Sequence, residues 1–503
     1  MAEVAAGLYA AETVVEGAAV GALAVSKSTA PLHLTFHKIS SPTEKHDIAR
    51  SGHTLNIVKG KAYVVGGNGE TNAVVTLTLP VASSTDGEGD LAPQDLDIVH
   101  PEFKNDDRPL GPQVDVEGTR LSPFHFNRTG HTTTAIDDKL YIWGGKGITA
   151  DQSLLENQPQ PSDLFVIFDT TTNTYSTVTA DASKCRDGLP SPRFNHTATS
   201  SLHPQPASLP DGPKITAHGT VFIHGGSTGA DGGDALSTEL RDTWAFDVGT
   251  RVWTRLPDIP DPGPLEVANE GRIVNVNNRL WRLGDGFGRA MYLDLAEYDS
   301  SPRGISPSAD LPGGPDTNNA SVLGIGLKGD GKWQVISFGT EASDSSQTTN
   351  TSSSQLPMPR PSAGLVPITT GAGRQYLLYF MGKQLQTGEL NDFWSFQTEA
   401  EGASAAGIKD KIRNFIGRAK DSWTSGEHTW AKCELAKKGG SKEAGQQQEE
   451  RHEIGKEAGA GWPDGLSDFG CDVWNDQGGN VFVIWGGRRG GSVVGEGWVV
   501  TVE

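Results

Sequence analysis

Cysteine is scarce in this chain: Cys185, Cys433 and Cys471 are the only three in 503 residues, and no two form a Cys-x-x-Cys pair. So few thiols, so far apart, exclude a disulfide framework and a cysteine-rich zinc site, and they point to a reducing, cytoplasmic setting. Basic charge is in deficit as well. Forty-two Lys and Arg against sixty-two Asp and Glu leave a formal charge of −20, which excludes a general nucleic-acid binder, whose surface needs a basic excess. No uninterrupted run of about twenty apolar residues occurs, so no transmembrane span is expected. Residues 1–30 carry Glu3, Glu12 and Glu16, lack an early basic region and have no strongly apolar stretch, so no signal peptide is evident.

Catalytic signatures are missing too. The chain has no phosphate-cradling G-x-x-x-x-G-K-[ST] loop, no H-E-x-x-H zinc helix and no G-x-S-x-G nucleophile elbow. Metal-ligand spacing is absent. The expectation is therefore no metal, no cofactor and no assigned catalytic residue. Gly284-Asp285-Gly286-Phe287-Gly288 is glycine-rich, but it falls at a repeat turn and reads as a loop.

What the chain does have is a repeat. Arg50-Ser51-Gly52-His53 leads to Tyr63-Val64-Val65-Gly66-Gly67, and Arg128-Thr129-Gly130-His131 leads to Tyr141-Ile142-Trp143-Gly144-Gly145, with thirteen residues from histidine to first glycine in both. A third copy, Arg193 to His196 and then Val221 to Gly226, keeps both ends around the insertion Leu202 to Lys214. An insertion that spares its flanks marks a loop between two strands. Three weaker copies end at Gly284, at Gly382 and at Gly486-Gly487; in them Gly271 replaces the histidine, and Asp285 or Lys383 is read as replacing the second glycine. With 63 glycines, 29 prolines and short β-branched or aromatic runs, the copies predict many strands and turns. Repeats that bury their faces against neighbours also relax the two-domain expectation set by length.

In the better copies the order is a Gly-His strand, a strand ending in Gly-Gly, a strand such as Asp242 to Asp247, and a strand such as Arg251 to Leu256. The last copy supplies only three strands, and the alternating segment 32–39 is free to supply its fourth, which would remove exposed edges. The Gly-His, hydrophobic-Gly-Gly and Asp-x-Trp-x-Phe pattern resembles the kelch repeat. Nearly everything from residue 32 onward is similar to kelch β-propellers of the galactose-oxidase-like superfamily, including fungal members. That resemblance implies an all-β, six-bladed propeller over 32–503, its last blade closed by the N-terminal strand, with residues 1–31 as an extension. A copper radical enzyme of that superfamily would need a crosslinked tyrosine and cysteine and two histidine ligands, for which the cysteines offer little. Iron-binding kelch proteins would show an acidic residue four positions before a histidine, and none of the thirteen histidines has one.

Residues 399–466 read as a helical and low-complexity insertion in the fifth blade. Ile408, Ile412, Phe415, Ile416, Ala419 and Trp423 recur at helical spacing beside Lys409, Lys411, Arg413, Arg418 and Lys420. A helix over 408–423 would pack on the propeller, or dock a protein or an anionic membrane surface.

Long segments 100–127, 146–161, 227–241, 339–359 and 436–467 fall on the propeller face that carries the blade-to-blade loops, the usual place for binding. Arg50, Arg128, Arg193 and Arg360 recur at the start of repeats on that face, and Arg289 and Arg488 could enlarge the patch. Together they would bind carboxylates or phosphates by forked hydrogen bonds; arginines at this repeat position in kelch substrate adaptors imply a partner with an acidic segment. The opposing expectation pairs them with acidic loop residues such as Glu44, Asp47, Asp231 or Asp234. The repeat histidines read as structural, since a catalytic group has no reason to recur in several blades. Two functions follow: a protein-interaction scaffold working through the decorated face, or an enzyme or small-molecule binder with its site at the axial mouth.

Overall fold

The computed structural model describes residues 31–39, 48–68, 74–79, 95–103, 128–147, 161–204, 217–229, 238–260, 271–284, 288–295, 327–338 except 329, 356–400 except 372, 385 and 386, 427–435 and 463–503. Among them the regular structure is β, with one short 3-10 turn, Asn475–Gln477, and no α-helix. The expected helix at 408–423 lies outside the described residues.

Six sheets of at least four strands form the blades of a β-propeller. The first runs His53–Val58, Lys61–Gly66, Val74–Thr78, Asp95–Val99, each strand antiparallel to the one before. Strands beginning at Thr132, Thr197, Arg272, Gly364 and Gly470 open the other five sheets. Each opening strand packs on that of the next blade, and the sixth packs on the first, so the six enclose an axis. The N-terminal strand His33–Ile39 pairs antiparallel with Gly497–Val502, from Leu34 opposite Val502 to Ile39 opposite Gly497. The sixth sheet thus draws strands from both ends of the chain.

Two blades carry a fifth strand. Glu102–Phe103 adds in parallel to Thr174–Thr179, and Glu434–Leu435 adds in parallel to His33–Ile39. Both cover an outer edge that would otherwise offer unpaired backbone groups. The second of these, together with Trp430–Lys432 as fourth strand of the fifth blade, shows that residues 430–435 belong to the blades. The insertion expected over 399–466 is therefore interrupted by blade strands.

Successive side chains of a strand point to opposite faces of its sheet, and each face of a blade meets another blade. The second strands are consequently apolar without alternation: Val221, Phe222 and Ile223 are all buried, as are Tyr376 through Phe380. In Lys61–Gly66, Val64 packs with Leu55, Val483 and Trp485 at the sixth-to-first seam, while Tyr63 and Val65 pack with Leu140 and Phe168 at the first-to-second. The core is six such wedges, one at each seam. Large rings fill them. At the second-to-third seam Phe165 stacks on Phe246 at 4.5 Å and Trp143 meets Trp253 edge-on at 5.5 Å.

The glycine pairs have a specific task here. A Cβ on Gly66 would lie 2.5 Å from the His131 ring, on Gly144 2.6 Å from His196, and on Gly486 2.7 Å from His53. The first glycine of these three pairs is thus the seat for the next blade's histidine. The second lies against its own: Gly67 against His53, Gly145 against His131, Gly226 against His196.

The irregular fourth and fifth copies substitute other groups. With Gly271 in place of histidine, the Arg282 guanidinium fills the vacated space and donates from Nε to His224 Nε2 of the third blade at 2.7 Å. The Tyr379 ring takes the seat at Gly284, 2.9 Å from where a Cβ would stand. In the fifth blade the register pairs Gly364 with Phe380, so Met381, at φ +53, occupies the first-glycine position and Gly382 the second. The expectation that Lys383 replaced the second glycine is corrected by one residue; what the blade lacks is the first.

Gly144 and Gly225 share a φ of +65, where any side chain costs about 1–2 kcal/mol. Only at Gly144 would a methyl also strike a histidine ring; at Gly225 its nearest neighbour is Leu240 O at 3.3 Å. Gly144→Ala should therefore lose about 1–3 kcal/mol more than Gly225→Ala in urea unfolding, the cost of overpacking. Equal midpoints would mean that the ring is not held at that seat.

Candidate functional site

The repeat arginines open the turns that lead into the innermost strands. Arg50, Arg128, Arg193 and Arg360 are 4, 2, 0 and 1% exposed. Each guanidinium turns into its own blade and donates from Nη1 to the carbonyl at the first-glycine position: Gly66, Gly144, Gly225 and Met381, at 3.3, 3.1, 3.0 and 3.2 Å. The main-chain carbonyls of three of them reach the other way, accepting the second-glycine N–H of the preceding blade. Gly487 donates to Arg50, Gly67 to Arg128 and Gly145 to Arg193, at 2.8–2.9 Å. In the sixth blade Leu466 stands at this position and its carbonyl accepts from Gly382 at 2.9 Å.

Two of these arginines also meet a carboxylate. Arg193 forms a forked pair with Asp242, 2.6 Å from Nη1 to Oδ1 and 2.9 Å from Nη2 to Oδ2, and Trp244 Nε1 donates to the same carboxylate at 2.7 Å. Arg360, Asp392 and Trp394 repeat the arrangement in the fifth blade. Against the pull of burial, the arginines hold both carboxyls below the usual range. For Arg193 and Arg360 the acidic partners are thus the Asp of the Asp-x-Trp strands, while Glu44, Asp47, Asp231 and Asp234 lie outside the described residues. Arg128 is drawn down to about 10 by burial. Placed this way, the four guanidinium groups are held inside their own blades, and it is the main-chain carbonyls of Arg50, Arg128 and Arg193 that join one blade to the next.

Arg289 and Arg488 sit differently. Arg289 is partly exposed. Arg488, at 37% side-chain exposure, donates to Ser51 Oγ at 3.2 Å and stands 3.9 Å from Asp468.

The repeat histidines are buried across the seams. His53 Nε2 lies 3.0 Å from Trp485 O, His131 Nε2 3.3 Å from Thr54 Oγ1, and His196 Nε2 2.7 Å from Thr132 Oγ1. Burial first, then the adjacent arginines, lowers His53 to about 4 and His131 to about 3, and takes His196 and His224 well below the ordinary value. These imidazoles are neutral at pH 7. His224 accepts from Arg282 at Nε2, which leaves its Nδ1–H, 2.8 Å from Thr243 Oγ1, as donor.

A backbone collar, not anticipated from the sequence, rings the axis at the same level. In five blades the residue before the histidine position has a left-handed backbone: Gly52, Gly130, Asn195, Ser362 and Asp468, with φ of +53 to +66. Asn195 N–H donates to Gly130 O at 2.7 Å, Gly130 N–H to Gly52 O at 3.4 Å, and Gly52 N–H to Asp468 O at 2.9 Å. Ser362 Oγ then reaches Asp468 Oδ1 at 2.6 Å. Five blades are tied in series. The restriction to Gly, Asn, Ser and Asp is the signal that could have exposed the collar, since these residues tolerate that conformation.

Above the collar stand three two-stranded ribbons. Arg128–Thr129 pairs with Lys146–Gly147, Lys383–Gln384 with Gly388–Glu389, and Arg488–Arg489 with Ser492–Val493. The last two are bridged by Gly490 N–H to Glu389 Oε2 at 3.3 Å. Met358 and Val493, 44 and 37% exposed, add apolar surface on this face.

The class this geometry defines is the closed, six-bladed β-propeller with a collared axial mouth and a ribbon-bearing face. No protein-family model matches the chain, and no curated protein matches it. A solved structure, "Structure of YjhT", aligns over 92% of this chain and 100% of that one, at 13% identity and a TM-score of 0.43. That score is too low to say more than the strand pairing already does. Among the described residues, no helix is long and apolar enough to cross a membrane and no cluster of metal-ligating side chains occurs.

The histidine seams make stability depend on acid. Below about pH 6.5 the unfolded chain takes up protons that the folded imidazoles refuse. Each such histidine removes about 1.4 kcal/mol per pH unit, down to its own depressed value. Asp472, raised to about 6 by burial, works in the opposite direction below that pH. His131→Gln should therefore flatten the loss of stability between pH 6.5 and 4 by about 1.4 kcal/mol per unit in urea titrations. A slope equal to wild type would take His131 out of this account.

Proposed function

We propose that the chain is a kelch-type propeller that acts as a non-catalytic protein-interaction scaffold in the cytoplasm, recognising a partner through the loop-decorated face. The observation that carries this reading is the pairing of collar and ribbons. Hydrogen bonds join the turns of five blades around the axis, and the bridged ribbons beside them supply raised, pre-ordered relief. Broad contact with a macromolecule suits such a surface better than enclosure of a small substrate. Repeated His and Arg side chains, the obvious reactive groups, are engaged across the seams and within the blades respectively. Cys185, Cys433 and Cys471 stand as free thiols, in keeping with a reducing compartment.

For a partner with an acidic segment, the basic contacts fall to the accessible Arg488, its neighbour Arg489 and Arg289, since Arg50, Arg128, Arg193 and Arg360 are buried. The aliphatic Val493 between the charged ribbon ends and the nearby Met358 would supply the apolar part of the contact.

Crosslinking and affinity purification from the protein's own cells should recover a stoichiometric partner with wild type. Arg488→Glu with Val493→Asp, both on the ribbon face, should lower recovery at least about tenfold, the usual scale for losing a central contact. Asp476→Lys, on the opposite face, should not. Equal recovery with both variants would reject this face as the binding surface.

A further inference from the structure

A serine stands at the tip of one ribbon. Ser492 is exposed, and it lies directly opposite Arg489 at the end of the ladder between Arg488–Arg489 and Ser492–Val493. Between them Gly490 and Gly491 turn the chain at φ of +56 and +85, a tight reversal that glycine takes without strain.

The four residues before Ser492 are Arg488, Arg489, Gly490 and Gly491. Arginines three and four positions ahead of a serine are what arginine-directed protein kinases select, their acidic subsites gripping the guanidinium groups by forked hydrogen bonds. Both arginines are within reach of such subsites. Their side chains are 37 and 31% exposed, and their carboxylate partners Asp468 and Glu496 form surface pairs, which are weak and readily exchanged. A ladder of two residue pairs has little to hold it closed, so the segment can straighten into a kinase cleft without disturbing the blades.

The ribbon also has a place for the product. Residues directly opposite in an antiparallel pair carry their side chains on one side, with Cβ atoms about 5 Å apart. A phosphate on Ser492 would therefore meet Arg489. That arginine donates from Nη2 to Glu496 Oε2 at 3.0 Å and stands 3.8 Å from Asp464. A group of about −2 charge with three acceptor oxygens is the stronger partner. Glu496 is not orphaned by the exchange, because Lys38 Nζ donates to its Oε1 at 3.0 Å, and the Asp464 side chain is 79% exposed. The phosphate thus seats without leaving a buried carboxylate unpaired, and it sets two negative charges beside Arg488 and Val493.

We infer that Ser492 is a phosphorylation site for an arginine-directed serine kinase, and that its phosphate takes Arg489 and repels an acidic partner segment from the ribbon face. The γ-phosphoryl group of ATP is transferred: its bond to the bridging oxygen breaks, a bond to Ser492 Oγ forms, the hydroxyl proton leaves, and ADP departs. The acceptor role stands on the ribbon alone, whereas the repulsion rests on the scaffold reading.

The full chain is incubated with ATP, Mg2+ and an arginine-directed kinase of the calmodulin-dependent class, and phosphate is located by peptide mass spectrometry. Wild type should carry it on Ser492. Arg489→Ala should cut incorporation there about tenfold, and Arg489→Lys by less. Absence of phosphate from Ser492, or incorporation indifferent to Arg489→Ala, would overturn the acceptor role. As bait for the partner, phosphorylated wild type should recover about tenfold less than untreated protein, while Ser492→Ala given the same treatment should not change. Recovery that falls with Arg488→Glu and Val493→Asp but not with the phosphate overturns the repulsion and leaves the scaffold reading standing. Recovery that falls with neither overturns both, and the mapped phosphate still decides the acceptor.

Discussion

The structure depends on one interlock, made at the sixth-to-first, first-to-second and second-to-third seams between the Gly-Gly turn of one blade and the Arg-x-x-His turn of the next. Four parts of the repeat meet there. The first glycine leaves space for the next imidazole, and the second sends its N–H to the next blade's arginine carbonyl. That arginine's side chain then fixes its own blade's glycine carbonyl, as Arg128 does with Gly144. Each blade is thus both receptor and insert. The aromatic wedges supply most of the buried area, but area is not directional; the interlock sets blade angle and spacing, which is what lets six sheets come round to the first.

The interlock also decides which side chains remain for binding. Histidine and arginine would ordinarily be the first candidates for chemistry at an axial mouth, yet here they are neutral or internally paired because the seams require them. Where the pattern lapses, the same space is filled by different means. Arg282 and His224 hold the third-to-fourth seam, and Tyr379 sits against Gly284. Binding capacity is left to the loops that the repeat does not specify.

Much of the fold was legible in the residues. The thirteen-residue spacing from His53 to Gly66 and from His131 to Gly144 reflects a two-strand hairpin of fixed length, and a fixed hairpin is what strand pairing reproduces. The structural role of the histidines was legible for the same reason. Arg50, Arg128, Arg193 and Arg360 were legible as a set but not in orientation, because recurrence cannot say whether a guanidinium points to solvent or back into its blade. The counter-charges of Arg193 and Arg360 were not legible either: Asp242 and Asp392 lie 49 and 32 positions along the chain from them, and only strand register brings them together. The missing glycine of the fifth blade was set one residue too far on, since Met381 adopts a backbone that methionine seldom takes.

The most direct test of the interlock is a double-mutant cycle at the second-to-third seam, with Gly144→Ala, His196→Ala and the pair compared with wild type by urea unfolding. If the glycine exists to seat the ring, removing the ring makes room for the methyl. The double variant should then be less destabilised than the sum of the singles, by about 1 kcal/mol or more. Additive losses, within about 0.3 kcal/mol, would contradict the account.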